Sequence, residues 1–174
     1  MTGCIIYKGK YGATRQYAEW ASEELQLPLF KPENLETGKL VSSGFVLIGS
    51  SVYMGKLLMK DWLHRHVGAL KNKKLYLFIV CGTPDSDSAK QQKIIHDNIP
   101  APLLRTSAIF FLPGRLIRDQ LSWKDALFLK MGARLEKDPV KKQAMLHDID
   151  GVKKGNMEPL LQAVCGAFLA PAAI

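Results

Sequence analysis

The stretch Lys8-Gly9-Lys10-Tyr11-Gly12-Ala13-Thr14 has the residue types of an anion cradle. It follows a short apolar run, Cys4–Tyr7, and leads into a helical pattern, Thr14–Gln26. Its glycines permit positive φ and close approach of the backbone. A helix start presents free N–H groups and the positive end of the helix dipole. Lys10 and Arg15 add charge, and Thr14 adds a hydroxyl donor. Phosphate binding is the chemistry that suits this combination. An ordinary strand-to-helix turn capped by Thr14 would use the same residues.

A second segment, Ser50-Ser51-Val52-Tyr53-Met54-Gly55, reads as the loop after a buried strand. A flat heteroaromatic ring could stack on Tyr53 or pack against the thioether of Met54. The alternative is that both side chains simply cover the end of the sheet. A third loop, Cys81-Gly82-Thr83-Pro84, offers backbone groups and a hydroxyl near the same crevice. Cys81 itself reads as a packed strand-end thiol. One phosphate loop followed along the chain by two ring loops describes a mononucleotide site.

Other chemistries find no support. Gly9 and Gly12 give GxxG and not the GxGxxG dinucleotide fingerprint. Gly49–Leu57 fails as a Walker A loop, because the spacing is one residue too long and Leu57 stands where Ser or Thr is required. Tyr53 occupies the second glycine position of a nucleophile elbow. His64 and His66, two apart, do not share a helix face as zinc ligands would, and no metal site is expected. No general acid or base can be named.

These loops need a frame. Leu27–Phe30, Phe45–Gly49, Leu75–Cys81 and Ala108–Leu112 read as further strands after Cys4–Tyr7. The third and fourth strands are continuously apolar, as strands covered on both faces must be. Leu57–Leu70 and Ser86–Asn98 read as helices, the latter capped by Ser86 or Asp87, and about Asn156–Leu169 as a last helix capped by Asn156. The alternation predicts an α/β fold of one domain over residues 1–174: a doubly wound, five-stranded parallel sheet of order 2-1-3-4-5. Ligands of such sheets bind outside the carboxyl ends of the strands, at the point where strand order reverses.

Between the fifth strand and the last helix lies a long extra segment, Gly114–Lys154. Ser122 with Asp125 resembles a capping box, and Trp123, Leu127, Phe128, Met131 and Leu135 would form the apolar face of an added helix. Ten basic residues against six carboxylates give the segment a balance of +4, within +8 for the chain. Such an excess favours anionic partners, though it also serves solubility. The stripe suits either packing on the domain or lying on an anionic membrane surface. Three widely spaced cysteines, without CxxC, point to a reducing, cytoplasmic setting. The amino terminus reads as a strand and not a signal peptide, and no run is long enough to span a bilayer.

The residues also carry a family resemblance over nearly the whole chain. Tyr7–Ala18, YKGKYGATRQYA, resembles the phosphate loop and first helix of flavodoxins, and Gly49–Lys56, GSSVYMGK, their flavin loop after strand three. Phe111–Asp125, FLPGRLIRDQLSWKD, is similar to the segment after strand five in menaquinone-dependent protoporphyrinogen oxidases, the nearest subgroup. The resemblance implies FMN as cofactor. It implies Lys10, Gly12, Ala13 and Thr14 around the phosphate. Ser51, Val52, Tyr53, Met54 and Gly55 would flank the isoalloxazine, with Cys81, Gly82 and Thr83 along its other side. Gly9 and Ala13 stand where the family often has hydroxyl residues, which leaves backbone N–H groups, Thr14 and Lys10 for the phosphate. The implied partners are a quinone or a redox protein, with peripheral contact to an anionic membrane through 114–154 and no nucleic acid. Three functions remain: an oxidoreductase of that subgroup, a flavodoxin-type electron carrier, and a flavin-free binding module.

Overall fold

The computed structural model describes residues 2–82, 87–139, 142 and 146–169 of the chain. In chain order it has β1 (Gly3–Lys8), α1 (Ala13–Leu25), β2 (Leu29–Phe30), α2 (Thr37–Ser42), β3 (Phe45–Tyr53), β4 (Lys56–Leu57), α3 (Lys60–Arg65), α4 (Val67–Leu70) and β5 (Lys74–Cys81). There follow α5 (Ser88–Asn98), α6 (Ala101–Leu104), β6 (Ser107–Pro113), β7 (Arg115–Leu116), α7 (Trp123–Leu135), β8 (Ile149–Asp150) and α8 (Glu158–Leu169). The parallel strands run in the order β2-β1-β3-β5-β6, which is the expected 2-1-3-4-5 with the added hairpin strand β4 off the path.

The pleat sends alternate side chains to opposite faces, so each strand feeds two cores. Ile6, Val46, Ile48, Leu75, Leu77 and Ile79 meet Leu40, Trp62, Leu63, Ile94 and Leu103 on one face. Ile5, Leu47, Tyr76, Phe78 and Val80 meet Tyr17, Ala18, Ala21, Leu160 and Val164 on the other. This two-sided burial is why the strands read as unbroken apolar runs and not as alternating ones. All three cysteines are free, with Cys4 and Cys81 buried and Cys165 exposed.

Several local expectations are corrected. The third strand runs on to Tyr53, so Ser50, Ser51, Val52 and Tyr53 are strand residues and not loop residues. The chain then reverses through Met54 and Gly55, with φ of 50° and 77°, and pairs β4 back on β3. Two positive φ values are what a tight hairpin turn needs to match the strand twist. The expected helix Leu57–Leu70 therefore starts late and breaks at His66, giving α3 and α4. Asn156 does not cap the last helix. Its amide donates to Tyr17 Oη at 2.8 Å and to the Gly151 carbonyl at 2.8 Å. Asp87 does cap α5, accepting from the Lys90 N–H at 3.1 Å.

The extra segment is tied back at its base. β7 and β8 pair antiparallel, and Arg115 donates to Asp150 at 2.8 Å and to Gln16 of α1 at 3.1 Å. Ser122 caps α7, accepting from the Asp125 N–H at 3.3 Å. The helix turns a mostly small face inward: Ala133 is buried, and Ala126, Leu129 and Gly132 are half-buried. Its large apolar residues face outward, with Trp123 73 %, Phe128 52 % and Leu135 81 % exposed. The stripe therefore does not pack on the domain.

Candidate functional site

Parallel register brings the three expected loops to one edge. Lys8 lies opposite Ser50, Ser51 opposite Val80, and Cys81 opposite Pro113. The carboxyl ends of β1, β3 and β5 are thus neighbours, and they flank the place where the sheet order reverses.

At the β1 end, helix α1 begins at Ala13, one residue before the expected start at Thr14, and the alternative of a Thr14 cap is not what forms. Gly12 is the N-cap, with φ of 81°, and no side chain caps the helix. Neither Asp nor Glu stands in the first turn. The first N–H groups of α1 are left without the usual side-chain acceptor, which suits an anion from outside. A left-handed φ strains any residue with a Cβ, so glycine is needed at position 12. Gly9 has a different reason. A Cβ there would sit 2.6 Å from Thr14 Cβ and 2.8 Å from Thr14 Oγ1. Gly9 thus lets the Thr14 side chain fold under the loop. Thr14, within the first turn and not at the cap, is buried.

At the β3 end, Ser50 Oγ accepts the Met59 N–H at 3.1 Å and is accounted for. Ser51 Oγ is the single buried side-chain polar atom without a partner among the described residues. An unpaired buried hydroxyl is costly and calls for a ligand or solvent group. Asn98 fixes the β3–β4 hairpin from below. Its Oδ1 accepts the Leu57 N–H at 2.9 Å, and its Nδ2 donates to the Gly55 carbonyl at 3.0 Å. Met54 stands out from the hairpin tip, 66 % exposed. At the β5 end, the Cys81 carbonyl accepts the Gly114 N–H at 3.0 Å, and Gly82 is exposed. Thr83 lies outside the described residues.

Reasoning from the sequence missed the centre of this arrangement. Asp125, read only as half of a capping box, does not reach back to its helix start. Its carboxylate is almost fully buried and accepts Tyr53 Oη at 2.6 Å and Lys10 Nζ at 2.7 Å. Tyr11 Oη also donates to it. Lys10 Nζ lies 3.8 Å from the centre of the Tyr53 ring, a cation–π contact. Hydrogen bonding to Asp125, with a smaller contribution from Tyr53, holds the Lys10 ammonium above its usual pKa. A lone carboxylate just inside a helix start gave no sign of partners more than seventy residues away.

The donor set fits FMN. An uncapped helix start suits the phosphate, and an unpartnered hydroxyl at the next strand end suits a polar atom of the ligand. Among the described residues no cluster of His, Cys, Asp and Glu could hold a metal ion. No described helix is long and apolar enough to cross a membrane.

Among solved structures, the WrbA-like flavodoxin of Agrobacterium tumefaciens is 16% identical, with a TM-score of 0.45, covering 72% of this chain and 87% of that one. Megasphaera elsdenii flavodoxin is 17% identical, with a TM-score of 0.44, covering 66% and 84%. The Trp repressor binding protein of Bacillus subtilis is 14% identical, with a TM-score of 0.44, covering 79% and 99%. No curated protein matches the chain. The model of the flavodoxin domain family matches residues 4–143, which hold nearly all of the parallel sheet and most of the extra segment. On that match, the chain belongs to the flavodoxin domain family.

Proposed function

We propose that the chain is an FMN-binding redox protein. The observation that carries this is the pairing of an uncapped α1 start at Gly12 with the unpartnered Ser51 hydroxyl, on the ends of adjacent strands. Gly12, Ala13 and Thr14 would hold the phosphate. Ser51, Val52, Tyr53, Met54 and Gly55 would flank the ring on one side, and Cys81, Gly82 and Thr83 on the other. FMN, once bound, supplies the electron or hydride transfer, so the protein needs no acid–base pair of its own. The residues bind and orient the ring and shape its electrostatic surroundings. Fluorescence-quenching titration tests this. FMN should bind near one equivalent and more tightly than riboflavin, by a few kcal/mol from charge-assisted contacts of about 1.5–3 kcal/mol each. Equal affinities would remove the phosphate assignment, and binding of neither flavin would leave the flavin-free module.

The finer reading is an oxidoreductase similar to menaquinone-dependent protoporphyrinogen oxidases, cytoplasmic and peripheral at the inner face of the membrane, passing electrons to a quinone. The outward apolar face of α7 favours it over a carrier. Trp123, Leu127, Phe128, Met131 and Leu135 are exposed, beside exposed Lys124, Lys130 and Arg134. A helix of this kind suits an anionic bilayer surface, where each basic residue contributes about 1 kcal/mol. The test is co-sedimentation with anionic and neutral vesicles at two salt concentrations, with a menaquinone-analogue assay using protoporphyrinogen as donor. Salt-sensitive binding with turnover supports the enzyme. Neither binding nor turnover, with FMN still redox-active, leaves the carrier.

A further inference from the structure

Lys10 has two possible duties in a flavin site: to meet the phosphate, as its place in the first loop implies, or to act at the ring. The geometry separates them. Its ammonium is 2.7 Å from Asp125 Oδ2 and 3.8 Å from the centre of the Tyr53 ring. Asp125 is nearly buried and both its oxygens are engaged, so losing the cation would leave a poorly solvated charge. The positive end of the α1 dipole also disfavours an ammonium close to that helix start. We propose that Asp125 is a positioning residue that assigns Lys10 to the ring side of the flavin site, leaving the phosphate to backbone N–H groups and Thr14. This rests on the FMN reading above.

The test compares FMN with riboflavin binding, and the potential of the bound flavin, in wild type, Lys10→Met, Thr14→Val and Asp125→Asn. Lys10→Met should keep the FMN-to-riboflavin affinity ratio within about twofold of wild type, because no phosphate contact is lost. Thr14→Val should lower the ratio about tenfold, the worth of one charge-assisted hydrogen bond. Lys10→Met should also lower the flavin potential, since a cation beside the ring favours the electron-rich form. Asp125→Asn should free the ammonium, raising both the ratio and its salt dependence. A ratio that falls about tenfold in Lys10→Met puts Lys10 on the phosphate and overturns the proposal. An unchanged ratio and potential in folded Asp125→Asn also overturns it. The double variant Lys10→Met/Asp125→Asn removes both charges and decides the matter where a single variant does not fold: its ratio should stay within about twofold of wild type, and a fall of about tenfold overturns the proposal. Wild type that binds neither flavin overturns the FMN reading and this one together. Wild type that binds FMN while Lys10→Met loses the ratio overturns this one alone.

Discussion

The phenol of Tyr53 donates to Asp125 at 2.6 Å, joining the end of β3 to the first turn of α7 across 72 positions. The ring proposed to face the flavin is thereby held by the segment that also bears the exposed apolar face. Tyr53→Ala should weaken FMN binding by roughly 1–2 kcal/mol, the usual worth of an aromatic contact plus lost area. Tyr53→Phe, which keeps the ring and loses the tether, should retain most of the affinity. Unchanged dissociation constants in both Tyr53→Ala and Met54→Ala would place the flavin ring elsewhere.

Met54 carries a φ of 50°, an uncommon conformation for a side chain of this size. Met54→Gly should therefore be neutral or stabilising, by up to about 1 kcal/mol, in urea denaturation. The same variant should bind FMN more weakly, because the exposed thioether is lost. A destabilised Met54→Gly protein would show that the side chain is held by contacts and not by function.

Asn98 is buried and its amide joins α5 to the turn at Gly55 and to β4 at Leu57. Asn98→Ala removes acceptor and donor together and strands the Leu57 N–H and the Gly55 carbonyl. Chemical denaturation should show a loss of about 2–4 kcal/mol, from buried groups left unpaired at about 1–3 kcal/mol each. A loss below about 1 kcal/mol would mean that water replaces the amide at low cost.

Asp150 ties β8 to β7. The Val152 N–H, and after it Arg115, hold its carboxyl below the ordinary carboxylate value. The sign follows from linkage. A carboxyl with a depressed folded pKa contributes stability above its unfolded pKa and loses it as pH falls through the folded one. Anchoring of the extra segment should therefore weaken below the ordinary Asp range. Asp150 is largely exposed and screening keeps the effect small. Limited proteolysis of 114–154 against pH should show cleavage rising on acidification in wild type. Asp150→Asn should be cleaved at a rate that varies less over that window.

The sheet and its site edge were legible from the chain. Phe45-Val46-Leu47-Ile48 and Leu75–Val80 announce strands covered on both faces, and such strands need crossover helices. Gly9, Gly12 and Thr14 between a strand and a helix mark a loop with the residue types of an anion cradle. These are local signals, set by periodicity and backbone permission within a few residues. The hairpin at Met54–Gly55 was not legible, because neither residue in sequence announces two positive φ values. Nor was the break of the expected long helix into α3 and α4.

Two decisions belonged to tertiary structure alone. The first is which way α7 faces. Trp123, Leu127, Phe128, Met131 and Leu135 have the spacing of a buried stripe, yet the helix seats the face of Ala126, Leu129, Gly132 and Ala133 inward and leaves that stripe outside. Helical spacing fixes which residues share a face, but what lies opposite that face depends on distant parts of the chain. The second is the role of Asp125. Its own neighbours in sequence specify a helix start, and only the return of the chain past β1 and β3 gives its carboxylate Lys10, Tyr11 and Tyr53. Charge pairing between segments so far apart leaves no periodic trace, because it follows distance in space and not position in sequence.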